Sequence, residues 1–402
     1  MYFSNRIYRL RVPEEKMKVF AEALQRGEAD GKYDILRITR RSEDFIDVMV
    51  KPSSLKDLKK LIQEYKVQAY ITNHDVERSI RVFSRANERA TARNRVRRSI
   101  NALPTHMAYL QFHEISQNSS LPIVWIDAGI HAREWIAPAT ALYLIDKLLS
   151  KDGYELLSKY QFYIAPNVNP DGYVFSHTTN RFWRKNRNRT EYENCPGVDL
   201  NRNFPYKWGL SGSSGNSCSE IYRGSSAADQ AETRSIIRKL AAIAPQTKLF
   251  LTLHSYGQLV LIPFGYLPAQ RPDNYNELVR FKIDGELVGG VGAETVTVYN
   301  YSLVTPNSKK KQYVRKRASI KVIFKLWKNH NTVYSSGTAA DILYSAAGGS
   351  DDFARGALNI PYAYTIELPD LGSYNFLLPP SFIIPVGNQI WDALKTFTEH
   401  IK

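Results

Sequence analysis

"LPIVWIDAGIHAREW", residues 121–135, carries the stretch on which the fold turns. Apart from Asp127, its first ten residues are apolar and rich in branched side chains, which is how a strand buried on both faces reads. HAREW follows at once, with His131 and Glu134 three positions apart. If a helix starts here, the two side chains leave the same face and can hold one metal ion between them. The same five residues also read as a solvated helix start, so the pair alone decides nothing.

Further along, strand candidates at 121–130, 160–168, 247–255 and 361–367 alternate with helical segments at 134–150, 229–242, 277–289 and 385–401. That alternation is α/β, and open sheets of this kind place their chemistry at the carboxyl ends of strands. HAREW has that location. So does "LTLHSYGQL" (251–259), in which His254 and Ser255 close another apolar run. One strand end with His and Glu and a second with His complete the ligand set of an open catalytic zinc site.

The first hundred residues have a different rhythm. "IYRLRV" (7–12), "YDILRI" (33–38), "FIDVMV" (45–50) and "QAYITN" (68–73) read as strands, and "EEKMKVFAEALQ" (14–25) and "SLKDLKKLIQEY" (54–65) as amphipathic helices. The order βαββαβ predicts a small α+β ferredoxin-like sheet with two helices on one face. An arginine-studded connector follows, in which Arg93, Arg95, Arg97 and Arg98 suit a trypsin-like protease.

Composition adds limits. The chain has 402 residues, 43% of them hydrophobic, in runs too short and too broken by charge for a membrane span. The first twenty residues show no apolar core of signal-peptide length. Of the formal charge of +15, nine units belong to residues 301–330, where nine Lys and Arg occur without an acid. That run reads as a solvated insertion or as a weak polyanion-binding segment through 309–328. Cys195 and Cys218 can close one surface disulfide or be two free thiols.

HAREW with its helix, "NPDGY" (169–173), "RFWRKNR" (181–187), "GVDLNRNF" (197–204), "LTLHSYGQL", "SAAGGSDDF" (345–353), "YTIELPD" (364–370) and "FLLPPSFIIP" (376–385) together resemble, in order, the motifs of zinc metallocarboxypeptidases of the pancreatic A and B type. The resemblance implies a mixed twisted sheet flanked by helices, preceded by an activation domain over 1–80 and a connector over 81–104 that is cut to release activity. The catalytic unit then covers 105–402, shortened at its start and carrying the basic insertion 301–330. A shortened start puts one edge strand of the sheet in question.

The resemblance also assigns roles. His131, Glu134 and His254 become ligands of one zinc ion, a set for which carboxypeptidase A is itself a standard example. Glu367 matches the general base that takes a proton from the attacking water and hands it to the leaving amine. Arg184 matches the cation that steadies the oxyanion. Asn201 and Arg202 match the clamp for the substrate's terminal carboxylate, and Tyr344 the tyrosine that closes over it. Arg133, Ser255, Tyr256 and Phe376 fall on neighbouring subsites. Cys195 and Cys218 match paired cysteines.

Asp351 falls at the bottom of the specificity pocket, a position that is apolar in A-type enzymes and acidic in B-type ones. The expected protein is a secreted, monomeric zymogen that removes C-terminal Lys or Arg. The alternatives are an A-type preference, or an inert binding protein compromised by its shortened start.

Overall fold

The computed structural model describes residues 5–39, 45–85, 113–115, 118, 120–275, 278, 296–297, 325–326 and 328–401. The connector arginines at 93–98 and nearly all of 301–330 lie outside these residues. So does the predicted helix 277–289, apart from residue 278.

The N-terminal sheet contains Arg6–Arg11 (β1), Tyr33–Arg37 (β2), Ile46–Val50 (β3) and Gln68–Asn73 (β4), ordered β2-β3-β1-β4. Every pairing is antiparallel. Helices Glu14–Ala29 and Leu55–Tyr65 cover one face, so the ferredoxin-like expectation holds. Phe20, Leu24 and Leu58 meet Leu10, Ile46 and Val48 in the core between helices and sheet. A further helix over 76–85 runs past the expected boundary at 80.

Among the described residues the second sheet has eight strands. In chain order they are His113–Ile115 (β5), Ile123–Ala128 (β6), Gln161–Ala165 (β7), Thr247–Ser255 (β8), Leu259–Ile262 (β9), Val296–Thr297 (β10), Ser335–Thr338 (β11) and Tyr362–Leu368 (β12). The spatial order is β10-β11-β9-β12-β8-β6-β7-β5, with parallel and antiparallel pairs, which makes it the mixed sheet expected. The edge in question carries β5, paired antiparallel with β7.

Strand β6 shows why its sequence reads as an apolar run broken only by Asp127, whose carboxylate accepts from Trp125 and Thr252. Val124, Ile126 and Ala128 face a core closed by helices Ile136–Leu149 and Ile383–Thr398. Ile123 and Trp125 face a second core containing Ile236 and Leu240 of helix Ala231–Ile243 and Phe353 of helix Ser350–Gly356. Both faces are dry, so alternation between apolar and polar residues disappears.

A fourth apolar cluster joins the two units. Ile7, Leu36 and Met49 of the small sheet, with Val76 and Phe83 of helix 76–85, pack on Phe182, Tyr256, Phe376 and Leu377. Fully burying a large apolar side chain contributes about 1.5–3 kcal/mol. The small domain is therefore docked by the same kind of packing that holds each core.

Candidate active site

His131 and Glu134 do not lie on a helix, because the helix begins only at Ile136. Strand β6 ends at Ala128, and Gly129 turns the chain with φ +71. A Cβ there would meet Asn167 Oδ1 at 2.8 Å, so the turn needs glycine twice over. The residues 131–134 then form a turn in which Glu134 N–H donates to the His131 carbonyl (3.2 Å). The three-residue spacing brings the side chains together, by a turn and not a helix face.

His254 arrives from the carboxyl end of β8. His131 Nδ1 lies 2.8 Å from Glu134 Oε1 and 3.2 Å from His254 Nδ1, and His254 Nδ1 lies 3.2 Å from Glu134 Oε2. All three side chains are buried, and their donor atoms lie within 4.8 Å of one another. His131 Nε2 faces Asp199 Oδ1 at 3.2 Å, and a proton on Nε2 shared with that carboxylate leaves the Nδ1 lone pair free.

The charges point the same way. Burial pushes the His131 pKa down, helped by Arg184. For His254 burial opposes protonation, but Glu134 and Glu367 outweigh it and raise the pKa to about 9. For Glu134 burial favours the neutral acid, and the two imidazoles override it to hold the carboxyl below its usual range. Two nitrogens and a carboxylate converging in a dry site are suited to one shared positive charge, and three protein ligands with an open position fit catalytic zinc.

Glu367 stands beside this cluster because β12 and β8 are parallel and in register, with Glu367 opposite His254. Burial raises its pKa to about 8, with His254 pulling downward and Glu134 adding to the rise.

Asp199 ties together several of the remaining groups. It accepts from Arg184 Nε and Nη2 at 3.1 and 2.9 Å, and Arg202 Nη1 lies 3.8 Å away. Burial alone would disfavour the charged Arg184, yet Asp199 keeps its pKa above the ordinary arginine value. Arg202 also donates to the Gly212 and Asn201 carbonyls and approaches the Tyr344 hydroxyl at 3.4 Å. Asn201 Oδ1 accepts from Ser350 N–H. Asp199 lies inside GVDLNRNF, but sequence reasoning gave it no role because Asn201 and Arg202 beside it supply the more obvious chemistry.

Asp351 is buried on the cleft wall. Its oxygens accept from the Thr365 hydroxyl (3.0 Å) and the Asp352 N–H (2.9 Å). Burial raises its pKa, with these hydrogen bonds opposing. Asp352 instead holds the backbone N–H groups of Gly265 and Tyr266.

One cleft thus gathers His131, Glu134, Arg184, Asn201, Arg202, His254, Ser255, Tyr256, Tyr344, Asp351, Glu367 and Phe376. Arg133 is the exception. It lies beside the cleft with its guanidinium carbon 4.4 Å from the centre of the Phe376 ring. Ile35, Leu36, Arg37 and Ile38 of the N-terminal domain line the same cleft, so it is covered. Asp34 accepts from both Arg133 terminal nitrogens, at 2.5 and 3.1 Å, and Asp47 accepts from the Tyr256 hydroxyl at 3.2 Å. Neither aspartate was singled out from sequence. Cys195 and Cys218 are disulfide-bonded.

The fold and site define a protein with a three-ligand centre suited to catalytic zinc, in a cleft capped by its own N-terminal domain. Comparison with known proteins narrows the class. A zinc carboxypeptidase family model matches residues 76–393, and a carboxypeptidase activation peptide model matches 13–82. Carboxypeptidase B of Astacus astacus is 36% identical over 284 residues, 70% of this chain and 81% of that protein. Carboxypeptidase A2 of Mus musculus is 37% identical over 294 residues, covering 72% of this chain and 61% of that one. The crystal structure of thrombin activatable fibrinolysis inhibitor aligns with a TM-score of 0.72 at 27% identity over 99% of each chain. The chain belongs to the zinc carboxypeptidase family and carries its activation peptide. It is a zinc metallocarboxypeptidase of zymogen architecture, with zinc as its cofactor. Among the described residues, no helix is long and apolar enough to cross a membrane.

Proposed function

We propose that this zymogen, once cut, removes Lys or Arg from the C-termini of peptides and proteins. The observation that carries the specificity is Asp351, a buried carboxylate on the cleft wall whose hydrogen-bond partners are a neutral hydroxyl and a neutral amide. A substrate ammonium or guanidinium offsets its desolvation, and an apolar side chain does not.

In this reading His131, Glu134 and His254 hold zinc, which when bound polarises the scissile carbonyl and acidifies water. Glu367 accepts the proton of the attacking water and returns it to the leaving amine. Arg184, fixed on Asp199, faces the developing oxyanion, while Asn201 and Arg202 hold the terminal carboxylate under Tyr344. Arg133, Ser255, Tyr256 and Phe376 receive the residues upstream.

Losing the partner of a buried charge costs about 2–5 kcal/mol, so C-terminal Arg should exceed C-terminal Phe in kcat/KM by roughly thirtyfold or more. Asp351→Ile should reverse that order, and Asp352→Asn should change it less. Equal cleavage of both termini by the wild type would make the enzyme A-type. The other sequence alternative, an inert binding protein, predicts no hydrolysis of either.

The proposed units are the activation domain and connector expected over 1–80 and 81–104, with the helix 76–85 crossing the boundary between them, and a catalytic unit over 105–402, a trypsin-like protease cutting the connector. Family membership supports a secreted home, and a monomer is expected. Latency rests on the docked domain. Asp34→Asn removes the carboxylate that accepts from both Arg133 terminal nitrogens, and breaking a buried pair of this kind typically costs about 3–5 kcal/mol. The uncut variant should therefore leak activity by about a hundredfold over the uncut wild type, and trypsin should bring both to the same rate. No leak in Asp34→Asn, or equal wild-type rates before and after a mapped cut, would remove the proposed latch.

A further inference from the structure

The two N-terminal carboxylates that reach the cleft are held differently. Asp47 keeps both oxygens on Arg9 of its own domain while accepting from Tyr256. Asp34 instead places one oxygen on each terminal nitrogen of Arg133. Arg133 is 1% exposed, and the catalytic unit itself sets its direction. Its guanidinium stacks on Phe376, its backbone carbonyl accepts from Arg181 Nη1 at 2.7 Å, and Arg181 Nη2 holds the Phe376 carbonyl at 2.5 Å. A guanidinium fork fixed in this way matches an acceptor with two oxygens, whereas a peptide carbonyl offers one.

The chain beyond Asp34 continues along β2, and residues 35–38 line the cleft that holds His131, Glu134 and His254. The carboxylate on Arg133 is thus followed directly by four residues, 35–38, that line the cleft shared with His131, Glu134 and His254. We propose that the activated enzyme is guided by acidic residues: Arg133 receives the side chain of an Asp or Glu lying up to about four residues before the scissile bond, which makes such peptides its preferred substrates. The inference rests on the cleft being the peptidase site argued above. Once the activation domain leaves, the fork loses Asp34, and an acidic substrate residue supplies the same two oxygens. Glu220 is a further carboxylate that acts on Arg133 through its charge. Its Oε2 is buried without a hydrogen-bond partner, so it is the internal rival for the fork.

The test uses the full zinc-loaded chain cut in its connector by trypsin. Two peptide sets, one ending in Arg and one in Phe, carry a single Glu or Gln at each of the upstream positions. The Glu/Gln ratio of kcat/KM should be about tenfold at one position, the size expected for a hydrogen-bonded charge, and should shrink in high salt. Arg133→Gln should bring it to about one. Calorimetric binding of the shortened product peptides gives the same ratio without turnover. A ratio near one at every position in both the wild type and Glu220→Gln overturns the inference, as does an unchanged ratio in Arg133→Gln. Each ratio compares peptides with the same terminus, so a failed Lys/Arg preference leaves it readable, and absent hydrolysis of both sets counts against the peptidase reading instead.

Discussion

His254→Ala should reduce bound zinc from one equivalent per chain to background and should abolish peptide hydrolysis after the connector is cut. The size of the effect follows from the ligand count. Three protein donors leave one open position, so removing one leaves two on a site built around a single shared cation. Glu134 would then keep its carboxylate beside His131 alone, although His254 Nδ1 now lies 3.2 Å from its Oε2. Metal analysis after dialysis against a weak chelator reads the zinc, and circular dichroism checks that the sheet survives. Asp199→Asn provides a graded companion. It keeps the shape but replaces the carboxylate facing His131 Nε2 with a neutral amide, and losing an outer partner of this kind typically costs about 10–100-fold in metal affinity. A full equivalent of zinc in His254→Ala would remove the ligand assignment.

Much of this site is legible in the sequence because its ligands sit where local patterns change. Apolar strands β6 and β8 end in His-containing polar residues, and the carboxyl end of a strand is where open sheets place chemistry. The geometry at HAREW is not legible in the same way. Residues three apart suggest a helix face, but Gly129 takes a left-handed turn and delays the helix to Ile136. Asp199 stayed hidden because an aspartate between a valine and a leucine has no periodicity of its own, and its role depends on Arg184 and His131 meeting it in space. Asp34 and Asp47 are less visible still. Each sits in a small-domain strand, and only docking across the two units shows that one holds Arg133 and the other Tyr256. Strands β9 and β11 were missed for a related reason. The sequence 251–262 runs from one strand into the next with only three residues between them, while "SSGT" lacks the β-branched and aromatic weight of a strand.

Glu367→Gln should separate chemistry from metal binding. Glutamine has the size of glutamate but cannot take a proton from water, so the variant should keep its zinc, its fold and its Arg-over-Phe ratio while losing about 10²–10⁴-fold in kcat, the usual contribution of a positioned acid–base group. The structural basis is register. Glu367 is opposite His254 on adjacent parallel strands, so it stands beside the metal ligands without being one of the three converging donors. Burial raises its pKa to about 8 against the pull of His254 and Arg184, and a cation held by the three converging donors would pull the same way, toward the carboxylate that a base requires. A nucleophilic role would also need Glu367, and the two are told apart by trapping: a general base leaves no acyl-enzyme in rapid quench of the wild type, whereas a nucleophile leaves one. The pairing with His254→Ala is what makes the result interpretable. One variant should lose zinc and turnover together, and the other turnover alone. If Glu367→Gln retained wild-type kcat, proton transfer would have to pass through another group, and the register of β12 against β8 would lose its catalytic meaning.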